Sequence, residues 1–194
     1  GGRPAMVDGR LELDRLDLET AAEMLLGGAI AADGTDAKQI WATTPLSGPP
    51  FDGVLAGTVA LSIGRAAVEE VGFDRLRVRL AAKPGEVRLD GIDAGFAGGR
   101  VGGEMVVRHG VDGVTGLTGR LSLDRTALAD IVWRRGGRAI AIGRLDADAS
   151  FSTTGRTAAA LVAGLGGEGR VSIADARVRG LSGDILCLSE KDLS

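Results

Sequence analysis

Residues able to do chemistry are few in this sequence. His109 is the only histidine and Cys187 the only cysteine. One of each is too few for a usual structural zinc site, and a lone thiol forms no internal disulfide. His109 stands beside Gly110 in a predicted turn, with no Gly-x-Ser-x-Gly elbow anywhere, so a Ser-His-Asp triad would need wholly non-local partners. Cys187 has no recognisable activating neighbourhood and reads as a plain thiol. Asp146-x-Asp148-x-Ser150 opens like a calcium loop, but Phe151 and Thr157 stand where that loop needs Gly and a bidentate Glu. Gly164-x-Gly166-x-x-Gly169 matches the dinucleotide fingerprint by letter. In that fold the glycines follow a strand and open a helix. Here they follow a predicted helix and open a predicted strand, so they read as helix termination. No spacing sets two acids apart for carboxylate hydrolysis. The reading is a non-enzymatic chain, with no catalytic residue, cofactor or metal assigned.

Composition narrows the classes further. The net charge is −3 over 194 residues, with no long run of one sign, so the electrostatic footprint of a nucleic-acid binder is missing. Aromatics make up 3% and Tyr is absent, which removes the stacking platforms of single-strand binders. Arginine far outnumbers lysine, which occurs only at Lys38, Lys83 and Lys191; this reads as compositional bias. Hydrophobic residues reach 44%, enough for a sizeable buried surface. No apolar stretch reaches the roughly 18–20 residues of a membrane span. The opening Gly1-Gly2 without Met predicts a fragment of a longer protein, read as one region over 1–194.

Positioning elements follow from period-two alternation, which sorts side chains onto two faces of a strand. Leu11 and Leu13 alternate with Glu12 and Asp14. Val59, Leu61 and Ile63 obey the same rule, as do Leu76, Val78 and Leu80 between Arg75, Arg77 and Arg79. Val87 and Leu89, then Val101, Gly103, Met105 and Val107, then Leu121 and Leu123 continue the series. Leu145 to Phe151 and Val171 to Ile173 close it. Pro84-Gly85, Gly98-Gly99 and Asp112-Gly113 are hairpin turns, so residues 53–124 are expected to form a meander. Three helices interrupt the strands, over 19–28, from a cap at Asp124 to Gly136, and over 156–165. Residues 33–52 form the main loop, bracketed by Trp41 and Phe51.

Residues 9–18 read GRLELDRLDL and residues 119–128 read GRLSLDRTAL. Each is an alternating strand, a Leu-Asp-Arg and a helix, followed by a further strand, giving copies at about 9–63 and 119–151. The expected class is mainly β with a few short helices (α+β): a curved antiparallel sheet of strand–helix–strand repeats, its apolar face either an open groove or a closed core. Arg75, Arg77 and Arg79 are expected on one solvated face, paired with acids across the sheet; anionic head groups are the other use for them.

From Val59 to Ser182 the order of elements resembles the C-terminal region of AsmA-family proteins. The resemblance lies in the strand ending at Ile63 before Gly64-Arg65-Ala66, the Leu/Val strand from Phe73 to Leu80, and the strand from Gly85 to Asp93. It continues through Ala97-Gly98-Gly99-Arg100-Val101-Gly102-Gly103, the Leu-x-Leu-Asp element of residues 119–124, and the closing Gly164-Leu165-Gly166-Gly167-Glu168-Gly169-Arg170-Val171-Ser172-Ile173-Ala174-Asp175. Asp175-Ala176 departs from the family's usual Asp-Gly, and the segment after Gly183 does not match. The resemblance implies a periplasmic protein held to the inner membrane by an anchor outside this fragment. It implies a role in outer-membrane biogenesis or phospholipid transport between membranes, through an apolar β-groove, and no catalytic residues. Candidate lipid-lining residues, chosen by parity, are Val59, Leu61, Ile63, Leu76, Val78, Leu80, Val101, Met105 and Val107. Expected partners are phospholipid and envelope proteins, with no nucleic acid. The alternative is an envelope interaction module that binds partners by sheet edges or loops; an unrecognised hydrolase ranks last.

Overall fold

A computed structural model describes residues 4–32, 40–131, 134, 135, 138, 139 and 141–178. Eight strands form one open, mixed sheet. In chain order the elements are β1 (Ala5–Asp17), α1 (Leu18–Leu26), β2 (Leu55–Val68), β3 (Val71–Lys83), β4 (Glu86–Phe96), β5 (Gly99–His109), β6 (Thr115–Ala127), α2 (Leu128–Ile131), β7 (Arg134–Arg135), β8 (Arg138–Ala139), β9 (Ala141–Gly155), α3 (Ala158–Ala163) and β10 (Gly166–Val178). The sheet order is β1-β2-β3-β4-β5-β6-β9-β10, and among the described residues β7 pairs only with β8. From β2 to β6 the chain is an antiparallel meander, with turns at the three expected glycine-bearing sites.

Two expectations need correction. The sheet is not wholly antiparallel, because β1 pairs parallel with β2. The long connection between them carries the chain back to the end at which β1 began, so both strands run the same way. The second helix does not start at Asp124. That residue lies within β6, opposite Arg100, and α2 is a single turn. Between Leu123 and Thr126 the β6–β9 register shifts, Arg125 adopts φ 49°, and the Arg125 N–H donates to Asp146 Oδ1 at 2.7 Å. Leu-Asp-Arg here marks a β-bulge. Val132, Gly136, Lys38, Cys187 and Lys191 lie outside the described residues.

The other helices form where their caps dictate. Asp17 accepts from Thr20 N–H at 2.7 Å to begin α1, and Gly27 ends it in the left-handed conformation. Thr157 caps α3 through Ala160 N–H, and Gly164 follows its last residue. The fingerprint-like glycines therefore close a helix and open β10. No described helix is long and apolar enough to cross a membrane.

The sheet is strongly coiled. Asp17 lies at one end of β1, and His109 at the opposite end of β5, four strands away. On a flat sheet they would stand about 40 Å apart. Yet α1, rising about 14 Å, carries the chain from Asp17 to Gly27, which meets Gly48, and Gly48 packs on the His109 ring. Curvature closes the difference. Residues 40–54 cross this end: Ala42, Leu46, Gly48 and Pro49 are buried, Leu46 N–H donates to Arg156 O, and Ala159 N–H donates to Ala42 O.

Gly48 has φ 75°, and a β-carbon there would lie 2.6 Å from His109 Cδ2. Gly48→Ala should therefore cost about 2 kcal/mol in urea denaturation, from backbone strain and the displaced ring. Glu86, salt-bridged to Lys83 at 3.1 Å and Arg108 at 2.8 Å, has its carboxyl held below the ordinary 4.5, first by the Lys83 hydrogen bond and then by Arg108. A carboxylate depressed on folding contributes stability above its unfolded pKa, and that stability is lost as pH falls through the folded value. Glu86→Gln should accordingly narrow the stability difference between pH 7 and pH 3 in parallel denaturation curves.

Candidate functional site

The strand registers bring all nine expected lining residues onto one face. Val59 pairs with Leu80, Leu61 with Val78 and Ile63 with Leu76. Leu80 pairs with Leu89, which pairs with Met105; Val87 pairs with Val107, and Ala94 with Val101. The same face continues through Leu117, Leu121 and Leu123 of β6, Ala147 and Phe151 of β9, and Val171 and Ile173 of β10. On the first strand, Leu11 and Leu13 lie opposite Leu61 and Ile63. Paired residues share a face of the sheet, so the pattern is continuous across eight strands.

Continuity survives the extra residues. In β4 the register shifts between Leu89 and Ile92, with Gly91 at φ 62°. Without a bulge, the three-residue interval from Leu89 to Ile92 would turn one of these side chains to the polar face; the bulge keeps both on the apolar side. Leu89, Leu117, Leu121 and Leu11 share this face although they are not among the nine expected residues.

Cover divides the nine. Ile63 is 2% exposed, Leu76 9% and Val107 3%, so these three belong to closed cores and do not line an open surface. Ile63 and Leu76 join Ala66 and Ala94, with Leu13, Leu16, Leu18, Phe73, Ile92 and Val101 packed around them; Phe73 stacks on Phe96 at 5.0 Å. Val59, Leu61, Val78, Leu80, Val101 and Met105 are half-buried. Toward the β10 edge the face opens, with Leu121, Val171 and Ile173 exposed.

The opposite face is polar. Arg100 holds Asp93 through Nη2–Oδ1 and Nη2–Oδ2 contacts of 2.7 and 2.9 Å, and Arg88 lies near Glu86 and Asp90. Arg77 and Arg79 stand opposite Asp93 and Asp90 in register. The nearest cationic partners of those acids are instead Arg100 and Arg88. Arg75 departs from the expected row: at φ 53° it sits in a kink, flanked by Phe73 and Leu76, which both face the core. A shallow depression of about 680 Å³ is lined by Glu104, Arg120, Ser122, Asp148, Ser150 and Glu168 together with Leu121 and Ala149.

Two of the candidate chemical groups, His109 and Asp146, make contacts within the fold. His109 Nδ1 lies 3.0 Å from Thr115 Oγ1 and its ring rests on Gly48. Asp146 accepts the Arg125 N–H. Asp17, like Glu86, is held below its ordinary value, here by the Thr20 backbone N–H it caps. Among the described residues no three His, Cys, Asp or Glu side chains gather as metal ligands. No family model, curated protein or solved structure matches this chain.

Covered and half-covered members of the face should separate by truncation. Leu76→Ala should cost about 3 kcal/mol, and Leu80→Ala about 1 kcal/mol, in equilibrium urea unfolding. Equal costs would show that the face is closed over both.

Proposed function

We propose that this chain is a non-enzymatic, AsmA-like segment that handles phospholipid along the apolar face of its curved sheet, in outer-membrane biogenesis or lipid transport between membranes. The observation that supports this reading is the one-sided register: eight strands keep apolar side chains on one face, and cover is heavy at Ile63 and light at Val171. Acyl chains would lie along Val59, Val78, Leu80, Leu89 and Met105 toward Leu121 and Val171. Burial would stabilise them by roughly 25 cal/mol per Å², without a directional bond. Head groups would stay in water at the strand ends.

Location in the periplasm, with an inner-membrane anchor elsewhere in a longer chain, belongs to the same proposal. So does modular growth. Gly-Arg-Leu or Gly-Arg-Val occurs in β1, β5, β6, β9 and β10, at Gly9, Gly99, Gly119, Gly143 and Gly169. In β6 and β10 a left-handed residue, Arg125 or Asp175, stands six positions after that glycine. A recurring strand of this kind would let a longer chain add copies at the β1 edge.

Gentle purification followed by native mass spectrometry tests the reading. Phospholipid-mass adducts are expected on the chain, and fewer on Leu80→Ser/Met105→Ser at unchanged far-ultraviolet circular dichroism. A wild-type chain that carries no lipid, even after incubation with phospholipid vesicles, would overturn it.

A further inference from the structure

β10 closes the sheet order with no described strand beyond it, and its side chains from Gly166 to Arg177 are all exposed. A strand with no described partner along one side is a template for another, and proteins guard such edges with charge, proline or bulges. The guard is uneven here. The opposite edge, β1, carries Asp8, Arg10, Glu12, Asp14, Arg15 and Asp17, whereas residues 166–173 carry only Glu168 and Arg170. The β9–β10 register shifts between Ala174 and Arg177, with Asp175 at φ 54°, so the regular edge left open among the described residues is 166–173. Beside it lie three exposed apolar side chains, Leu165, Val171 and Ile173.

We propose that this edge pairs antiparallel with the same edge of a second copy, in the register centred on Gly169. The charges select that register. It sets Glu168 opposite Arg170 of the partner subunit, and the two-fold axis repeats the contact, giving two opposite-sign cross-strand pairs. Centring on Glu168 or Arg170 would face like charges across the axis. Centring on Val171 would leave Glu168 opposite Ala174 and Arg170 opposite Ser172. Half-step registers would turn the apolar set of one strand onto the polar face of the other. In the Gly169 register Val171 falls opposite Gly167 and Ile173 opposite Leu165, so the apolar faces of both sheets join on one side. The pairing stands independently of lipid binding.

Sedimentation velocity of the full chain across a concentration series, at low salt, is the test. A monomer–dimer equilibrium is expected. Arg170→Glu, which sets acids opposite acids, should weaken the dimer about tenfold, and Glu168→Arg/Arg170→Glu should restore it. Arg10→Glu on β1 should leave it unchanged. Circular dichroism checks that each variant is folded. A wild-type monomer at every concentration would overturn the pairing; so would a dimer indifferent to Arg170→Glu, one that the double exchange fails to restore, or one that Arg10→Glu weakens.

Discussion

Everything in this fold depends on keeping one side-chain parity across eight strands. A one-residue slip in any strand would carry its apolar set to the solvent face. The chain nevertheless carries extra residues in β3, β4, β6 and β10. Each is absorbed at or beside a left-handed residue: Arg75, Gly91, Arg125 and Asp175. For the three non-glycine residues that conformation costs on the order of 1 kcal/mol each. The offset is visible at two of them. The Arg125 N–H is held by Asp146, and the kink at Arg75 leaves Phe73 and Leu76 both packed on the core.

The same bulges contribute to the sheet's shape. Extra residues raise local twist, and coiling is what lets a nine-residue helix link distant parts of the sheet. Residues 40–54 then have a short path between the end of α1 and α3, where Pro45 bridges Thr157. Cover is therefore confined to particular places: a core around Ile63 and Leu76, with Val107, Leu46 and Leu161 buried elsewhere. The rest of the apolar face has no second layer among the described residues. Parity and curvature together make a face that is apolar throughout but closed only in part.

Much of this was legible in residue order. Alternation placed the strands, the turn dipeptides located the hairpins, and parity sorted all nine candidate liners onto one face. What failed depended on distant partners. Asp124 followed by Leu128 and Ile131 has the spacing of a capped helix, but β9 supplies a strand for pairing as far as Ala127 and a carboxylate for the Arg125 N–H. Neither is local. The parallel pairing of β1 with β2 turns on where residues 40–54 lead the chain. Arg75 looks like one member of an alternating row, but it is the residue that breaks it. Burial of Ile63, Leu76 and Val107 was equally illegible, because parity fixes the face and says nothing of what lies above it.

A face closed only in part links occupancy to stability. On the polar side, Arg100 with Asp93 and Arg108 with Glu86 use charge locally, each with its arginine exposed, so that solvent limits what the pair is worth. Net stabilisation must come chiefly from the apolar side. There the covered residues have already contributed their burial, while Leu121, Val171 and Ile173 have contributed only part of theirs. Any apolar partner that lies on that flank removes the same surface from water that a folded second layer would. A partner that binds the native sheet and not the unfolded chain would add its affinity to the stability. On the proposed reading, folding and binding would draw on one quantity, the apolar area left uncovered toward the β10 edge.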